Sequence, residues 1–221
     1  MDVALSSVTE QFKQRGYAII RDLVDKTEIE RLYTHTLKIA PLGNFNDGQV
    51  PGSSSFYQDP EMVQLHKSLS PRLAELVQLK LHPTFCFNRV YRTGAVLRAH
   101  KDRRACEVAV TLNLGQQGPV WDLWLLDYDE NVQKIVLGPG DGLIYHGQLL
   151  THWRGKLVAA DFVSQVLLFF VVYKGKHTFA YKAELITRFL AYGESRLLAT
   201  WSTTWSAVKK AFSSIVTIQH K

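Results

Sequence analysis

Two histidines and an aspartate, His100, Asp102 and His152, have the types and spacing that most directly offer chemistry in this chain. Two imidazoles and one carboxylate are the donors of a facial triad, which holds iron(II) from one side and leaves the opposite side open. Within His100-Lys101-Asp102 the spacing suits that task. Residues i and i+2 of an extended chain point to one face, so both ligands grip one ion while Lys101 points away. His152 lies fifty-two positions further on and has to be returned by the fold. A short pattern such as His-x-Asp acquires meaning only from the elements around it.

Those elements read as strands. Residues 83–92 form a β-rich run broken at Thr93-Gly94, and residues 96–102 form a second run that carries the His-x-Asp pair. In residues 107–114 apolar side chains at 108, 110, 112 and 114 alternate with small or polar ones at 109, 111 and 113. That is a strand with one face on a core and the other toward the metal. Further strands are expected at 120–126, 132–137 and 143–145, the last after the Gly-rich turn 138–142, and an almost wholly apolar strand at 165–173 closes the set. Short strands at regular intervals predict a mainly β fold with flanking helices (α+β), its core a double-stranded β-helix or cupin-like jelly roll. The ligands then fall at strand ends, where the roll opens.

Ahead of the strands, residues 7–16 read as a capped helix ended by glycine, 17–20 as a strand, 26–39 as a second helix and 61–79 as a third. Residues 43–59, rich in Gly, Ser, Asn and Asp, form a long loop, either a lid or binding loop or a disordered connection. The expected organisation is a catalytic domain over 1–173 and a basic helical extension over 174–221. That extension holds eight Lys or Arg and two Glu, while the rest balances at eighteen of each sign, so the whole net charge of +6 belongs to the tail. Leu198, Trp201, Trp205, Val208, Phe212 and Ile215 make one apolar stripe at helical spacing. Three partners suit it: its own domain, a second subunit in a homodimer, or an anionic surface such as a membrane. Nucleic acid is disfavoured, because the basic residues match no reading motif.

Tyr91-Arg92-Thr93-Gly94 leading into His100-Lys101-Asp102-Arg103, then Gly140-Asp141-Gly142-Leu143-Ile144-Tyr145 and His152-Trp153-Arg154, resemble the iron(II) and 2-oxoglutarate-dependent dioxygenases, in particular their prolyl hydroxylase-like and phytanoyl hydroxylase-like branch. The resemblance spans about residues 8–173. It implies metal ligands His100, Asp102 and His152, with iron(II), 2-oxoglutarate and dioxygen as cofactor and co-substrates and ascorbate as an accessory reductant. It also implies hydroxylation of an unactivated C–H bond, first of a prolyl or other side chain in a peptide or protein. The alternatives are a small-molecule hydroxylase on the same scaffold and a non-catalytic jelly-roll binding module; desaturation and ring closure stay open as outcomes.

The family holds the far carboxylate of 2-oxoglutarate with a basic residue on the strand after the distal histidine, and this chain has no Lys or Arg between 157 and 173. Arg154, two positions after His152, is the candidate in its place, since a planar guanidinium suits a carboxylate. Arg89, Arg92 and Arg98 are alternatives, and Tyr91 and Asn113 are candidate polar contacts to the keto acid. His146 competes with His152 for the distal position, but it ends the strand beyond which the ligand is expected. Arg103 and Arg104 read first as part of a solvated loop, and alternatively as contacts for an anionic substrate at the pocket rim.

With 221 residues, 46% of them hydrophobic, the chain can bury a full core without disulfides. Its two cysteines, Cys86 and Cys106, show no framework spacing and read as packed thiols of a cytoplasmic protein. No signal peptide and no stretch long and apolar enough to span a membrane is expected.

Overall fold

The computed structural model describes residues 3–158, 160–179 and 182, with side chains from Ser7 onward. Helix α1, Val3–Arg15, begins upstream of the expected cap at Ser7 and stops at Gly16, whose φ of +79° only glycine adopts freely. Strand β1, Tyr17–Ile20, follows. Asp25 then caps α2, Lys26–Ile39, by accepting from the Glu28 amide, and Ile29, Leu32 and Thr36 turn its apolar stripe inward. Asp59 caps α3, Pro60–Val77, by accepting from the amides of Glu61 and Met62, with Pro60 in the first turn.

The expected loop at 43–59 is only partly a loop. A short 3-10 turn, Ala40–Leu42, leads into it, and near its end lies strand β2, Ser54–Tyr57, which pairs with β3, Leu81–Arg92. Too short for a periodic signal, β2 is set by its partner. The remaining strands are β4, Leu97–His100; β5, Val108–Gln117; β6, Leu123–Leu126; β7, Val132–Ile135; β8, Gly142–Tyr145; β9, His152–Arg154; and β10, Phe162–Val172.

All named pairings are antiparallel, in two sheets. The larger runs β1-β8-β5-β10-β3-β2 and the smaller runs β4-β9-β6-β7, the arrangement of a jelly roll. The helices cover the outer face of the larger sheet: Val108, Val110, Leu112 and Leu114 of β5 join Leu32 of α2 and Met62, Leu69 and Leu73 of α3 in one core. A second core lies between the sheets, where Phe85, Ala109, Leu143 and Phe169 meet Leu123, Leu125 and Ile135. Strand β5 is thus buried on both faces, and its alternation sorts residues between two cores.

The Gly-Asp turn before β8 owes its residues to packing. The Asp141 carboxylate accepts from Arg21 at 2.6 Å, from the Gly138 amide at 2.9 Å and from the Asp22 amide at 3.1 Å, tying the turn to the end of β1. At Gly140, with φ of +90°, an added Cβ would stand 2.9 Å from the Val24 carbonyl. Cys86 and Cys106 are buried and are not joined in a disulfide. Among the described residues no helix is long and apolar enough to cross a membrane. The stripe from Leu198 to Ile215, and with it the homodimer contact and all of the expected extension but 174–179 and 182, lies outside the described residues.

Candidate metal centre

His100 ends β4 and His152 begins β9, and the two are direct partners in the antiparallel register. The fifty-two intervening positions are thereby closed, and the imidazole centroids stand 4.2 Å apart. Asp102 lies just beyond β4. Its amide donates to the Gly147 carbonyl at 2.8 Å, so the loop after β8 fixes the carboxylate, rather than strand geometry alone. Asp102 Oδ1 is 3.7 Å from Nε2 of both histidines, and the three donor atoms lie within 4.8 Å of one another.

Each imidazole is oriented by the same local bond. Nδ1 of His100 donates to the Arg98 carbonyl at 2.8 Å, and Nδ1 of His152 to the Leu150 carbonyl at 3.0 Å. A proton held on Nδ1 leaves the Nε2 lone pair of both rings facing Asp102, the tautomer a metal requires. Burial and the neighbouring His100 push His152 down to about 4, so it stays neutral. Burial pushes the Asp102 carboxyl up to about 7, against the pull of Arg103 and a hydrogen bond from Tyr145. Asp102 Oδ2 is buried with no hydrogen-bond partner. Two inward lone pairs, that of His100 taken by Gln49 Nε2 at 2.8 Å, and an unsatisfied buried carboxylate oxygen form a donor set that fits a divalent cation.

The ligands open on a cavity of about 370 Å³ between the sheets, lined by residues including Phe85, Phe87, Tyr91, Arg103, Thr111 and Arg154. Arg154 shares the inward face of β9 with His152 and is 2% exposed. Its guanidinium lies 4.9 Å from the Trp121 ring centroid and Nη1 donates to the Trp121 carbonyl, while buried Nη2 has no partner. Burial lowers the Arg154 pKa to about 10. Tyr91 packs edge-on against Trp121 beside it, and buried Gln165 of β10 offers an Oε1 with no partner.

Other expected contacts lie elsewhere. Asn113 does not line the cavity: its Nδ2 donates to the Leu137 carbonyl and to Gln116 Oε1, and its Oδ1 accepts from the Gly115 amide, so its side chain holds a turn together. Arg92 and Arg98 are exposed and are not among the lining residues, whereas Arg89 is buried and lines the cavity. His146 packs against Phe12 at 4.5 Å, away from the ligands. Arg103 lines the cavity with its guanidinium over Phe85, and Arg104 faces a separate hollow with Lys176 and His177.

Sequence reasoning missed Tyr145. It is fully buried at the end of β8, its hydroxyl 3.4 Å from His152 Nε2, and burial with the Asp102 charge holds its pKa well above the ordinary value. A polar tip ending an otherwise apolar strand just before the ligand loop was the available signal. Asp47 and Gln49, from the loop before β2, were missed as well and carried no periodicity to expose them.

No family model and no curated protein matches the chain at the level of sequence. Solved structures do match its fold. A Pseudomonas putida prolyl-4-hydroxylase superposes with a TM-score of 0.64 at 17% identity, covering 75% of this chain and 97% of that one. A prolyl hydroxylase from Trichoplax adhaerens, in complex with a hypoxia-inducible-factor peptide fragment, gives 0.61 at 17% identity, covering 75% and 88%. The epimerase SnoN, in complex with Fe3+, alpha-ketoglutarate and nogalamycin RO, gives 0.63 at 12% identity, covering 76% and 83%. The chain therefore has the fold of the iron- and 2-oxoglutarate-dependent oxygenases and carries a His-Asp-His set, assembled from residues 100, 102 and 152, at the mouth of its jelly roll.

Proposed function

We propose that the protein is an iron(II)- and 2-oxoglutarate-dependent dioxygenase that hydroxylates an unactivated C–H bond. The observation that carries this reading is the convergence of two correctly oriented imidazoles and an unsatisfied buried carboxylate on a cavity that also holds a buried arginine with a free N–H. His100, Asp102 and His152 would hold iron(II), and Arg154, with Tyr91 alongside, would hold the far carboxylate of 2-oxoglutarate. When bound, iron with its keto acid supplies the oxidising chemistry. The protein contributes position. Register pairing of β4 with β9 fixes two ligands, the Gly147 carbonyl fixes the third, and Phe85, Phe87, Leu167 and Phe169 give the cavity an apolar wall. The Tyr145 hydroxyl, 3.4 Å from His152 Nε2, stands beside the Asp102 carboxylate and would steady the ligand set.

As substrate we favour a side chain of a peptide or protein, a reading supported by the likeness to two prolyl hydroxylases, one with a peptide bound. A small molecule is the second reading, supported by the comparable likeness to SnoN with nogalamycin RO. The test is succinate release from 2-oxoglutarate when the anaerobically iron-loaded protein meets air, with His100→Ala as control. Succinate that depends on His100 is expected; its absence, together with no 2-oxoglutarate binding, would leave a non-catalytic binding module.

A further inference from the structure

Asp47 and Gln49, two residues apart in the loop before β2, reach back into the cavity beside the ligands. The Asp47 carboxylate accepts from Nη2 of Arg89. Gln49 Oε1 accepts from Nη1 of the same guanidinium at 3.2 Å, and Gln49 Nε2 donates to Nε2 of His100 at 2.8 Å. These contacts use the atoms that ligands would need: the Arg89 fork suits a carboxylate, and the His100 lone pair suits a metal. Arg89 projects from β3 on the larger sheet, 5% exposed and two positions before Tyr91, while Arg154 faces the same cavity from the smaller sheet.

We infer that Arg89 and Arg154 form a two-sided carboxylate clamp in which Asp47 is a built-in competitor, so that a dicarboxylate co-substrate binds by displacing Asp47 from Arg89. The inference rests on the dioxygenase reading and deepens it. A guanidinium edge engaged by one carboxylate cannot take a second in the same geometry, and two carboxylates on one cation repel. Asp47 sits outside any helix or strand, its Oδ1 accepting from the Gln49 amide at 2.8 Å and the Val50 amide at 3.4 Å, so the turn it caps moves with it; Gly48 beside it has no neighbouring atom within 4 Å of an added Cβ and Gln49 is exposed, which leaves that turn room to shift. Displacement is ionic and breaks no covalent bond. Gln49 would leave His100 when the metal binds and Asp47 would leave Arg89 when the dicarboxylate binds, so one loop carries a competitor for each of the two positions.

The experiment titrates 2-oxoglutarate calorimetrically into the full chain loaded with iron(II) under nitrogen. Asp47→Asn is expected to tighten binding about ten-fold, since it removes a charge-assisted competitor, and Arg89→Met to weaken it by a comparable factor. In a separate titration Gln49→Ala, at an exposed position, is expected to bind iron(II) more tightly than wild type. If wild type binds 2-oxoglutarate and Asp47→Asn binds it no better, Asp47 serves to brace Arg89 and the competitor role is overturned. Unchanged iron(II) affinity in Gln49→Ala overturns the competitor role of Gln49. If wild type and all variants fail to bind 2-oxoglutarate, the dioxygenase reading falls and the clamp with it.

Discussion

Gly147 stands so close to Asp102 that a single added carbon would lie 2.4 Å from the carboxylate Oδ2 and 2.6 Å from the Cys106 carbonyl. The same glycine accepts the Asp102 amide hydrogen bond. Gly147→Ala is therefore expected to push the third ligand out of place. Iron(II) affinity should fall at least ten-fold, as for other disturbances of the groups that orient a metal ligand. Isothermal titration with iron(II) or manganese(II) would measure it, and an affinity equal to wild type would show that the loop yields without moving Asp102.

Asp102→Ala should remove iron binding without costing metal-free stability, because the group deleted is a buried carboxyl with an unsatisfied oxygen. Thermal melts with and without iron(II) separate the two effects. Wild type should gain about 2.7 kcal/mol at a metal concentration a hundred times its dissociation constant. The variant should gain nothing and melt, without metal, no lower than wild type.

For Arg154→Ala the expected signature is mixed. Its Nη2 is the free donor offered to the keto acid, so the concentration of 2-oxoglutarate required should rise far more than that of iron. Its Nη1 also satisfies the Trp121 carbonyl, and losing that bond should cost about 1–3 kcal/mol of stability. Kinetics at varied 2-oxoglutarate beside a denaturant melt would show both. Wild-type kinetics would place the carboxylate partner elsewhere.

His66 sets an acid limit on stability independent of the metal. Buried in α3 and edge-on to Phe170 at 4.6 Å, it is pushed by burial from 6.5 down to about 4. Between those values the unfolded chain binds a proton that the folded chain refuses, so this contribution to stability falls as pH drops from about 6.5 toward 4. Its full size is about 3 kcal/mol. Asp102, raised from 3.8 to about 7, works in the opposite sense in metal-free protein, its contribution falling as pH rises through that window. His66→Phe should therefore gain about 2–3 kcal/mol relative to wild type on moving from pH 7.5 to pH 4.5, read by urea unfolding. An equal difference at both values would mean that His66 titrates alike in both states.

Strand β5 and the His100-Lys101-Asp102 pair were legible because period and spacing are local: Val108, Val110, Leu112 and Leu114 announce one face, and His-x-Asp needs only three consecutive residues, whereas His152 was reached through the resemblance. Helix α2 was legible down to its bounds, 26–39. Other features depend on partners distant in sequence. Strand β2 exists because β3 is there to pair with it, and Asn113 was misread because Gly115, Gln116 and Leu137 claim its amide before any ligand could. The loop that brings Asp47 and Gln49 to the cavity is written in residues whose conformation no repeat dictates.

The register of β4 on β9 sets His100 against His152 and Leu97 against Arg154. Side chains alternate between the faces of a strand, so a slip of one residue would turn His152 and Arg154 outward together. The metal ligand and the arginine offered to the keto acid cannot be gained or lost separately by such an error. Affinity for metal is thus also a gauge of topology: a chain whose smaller sheet has closed out of step would be folded by most spectroscopic measures and chemically blind.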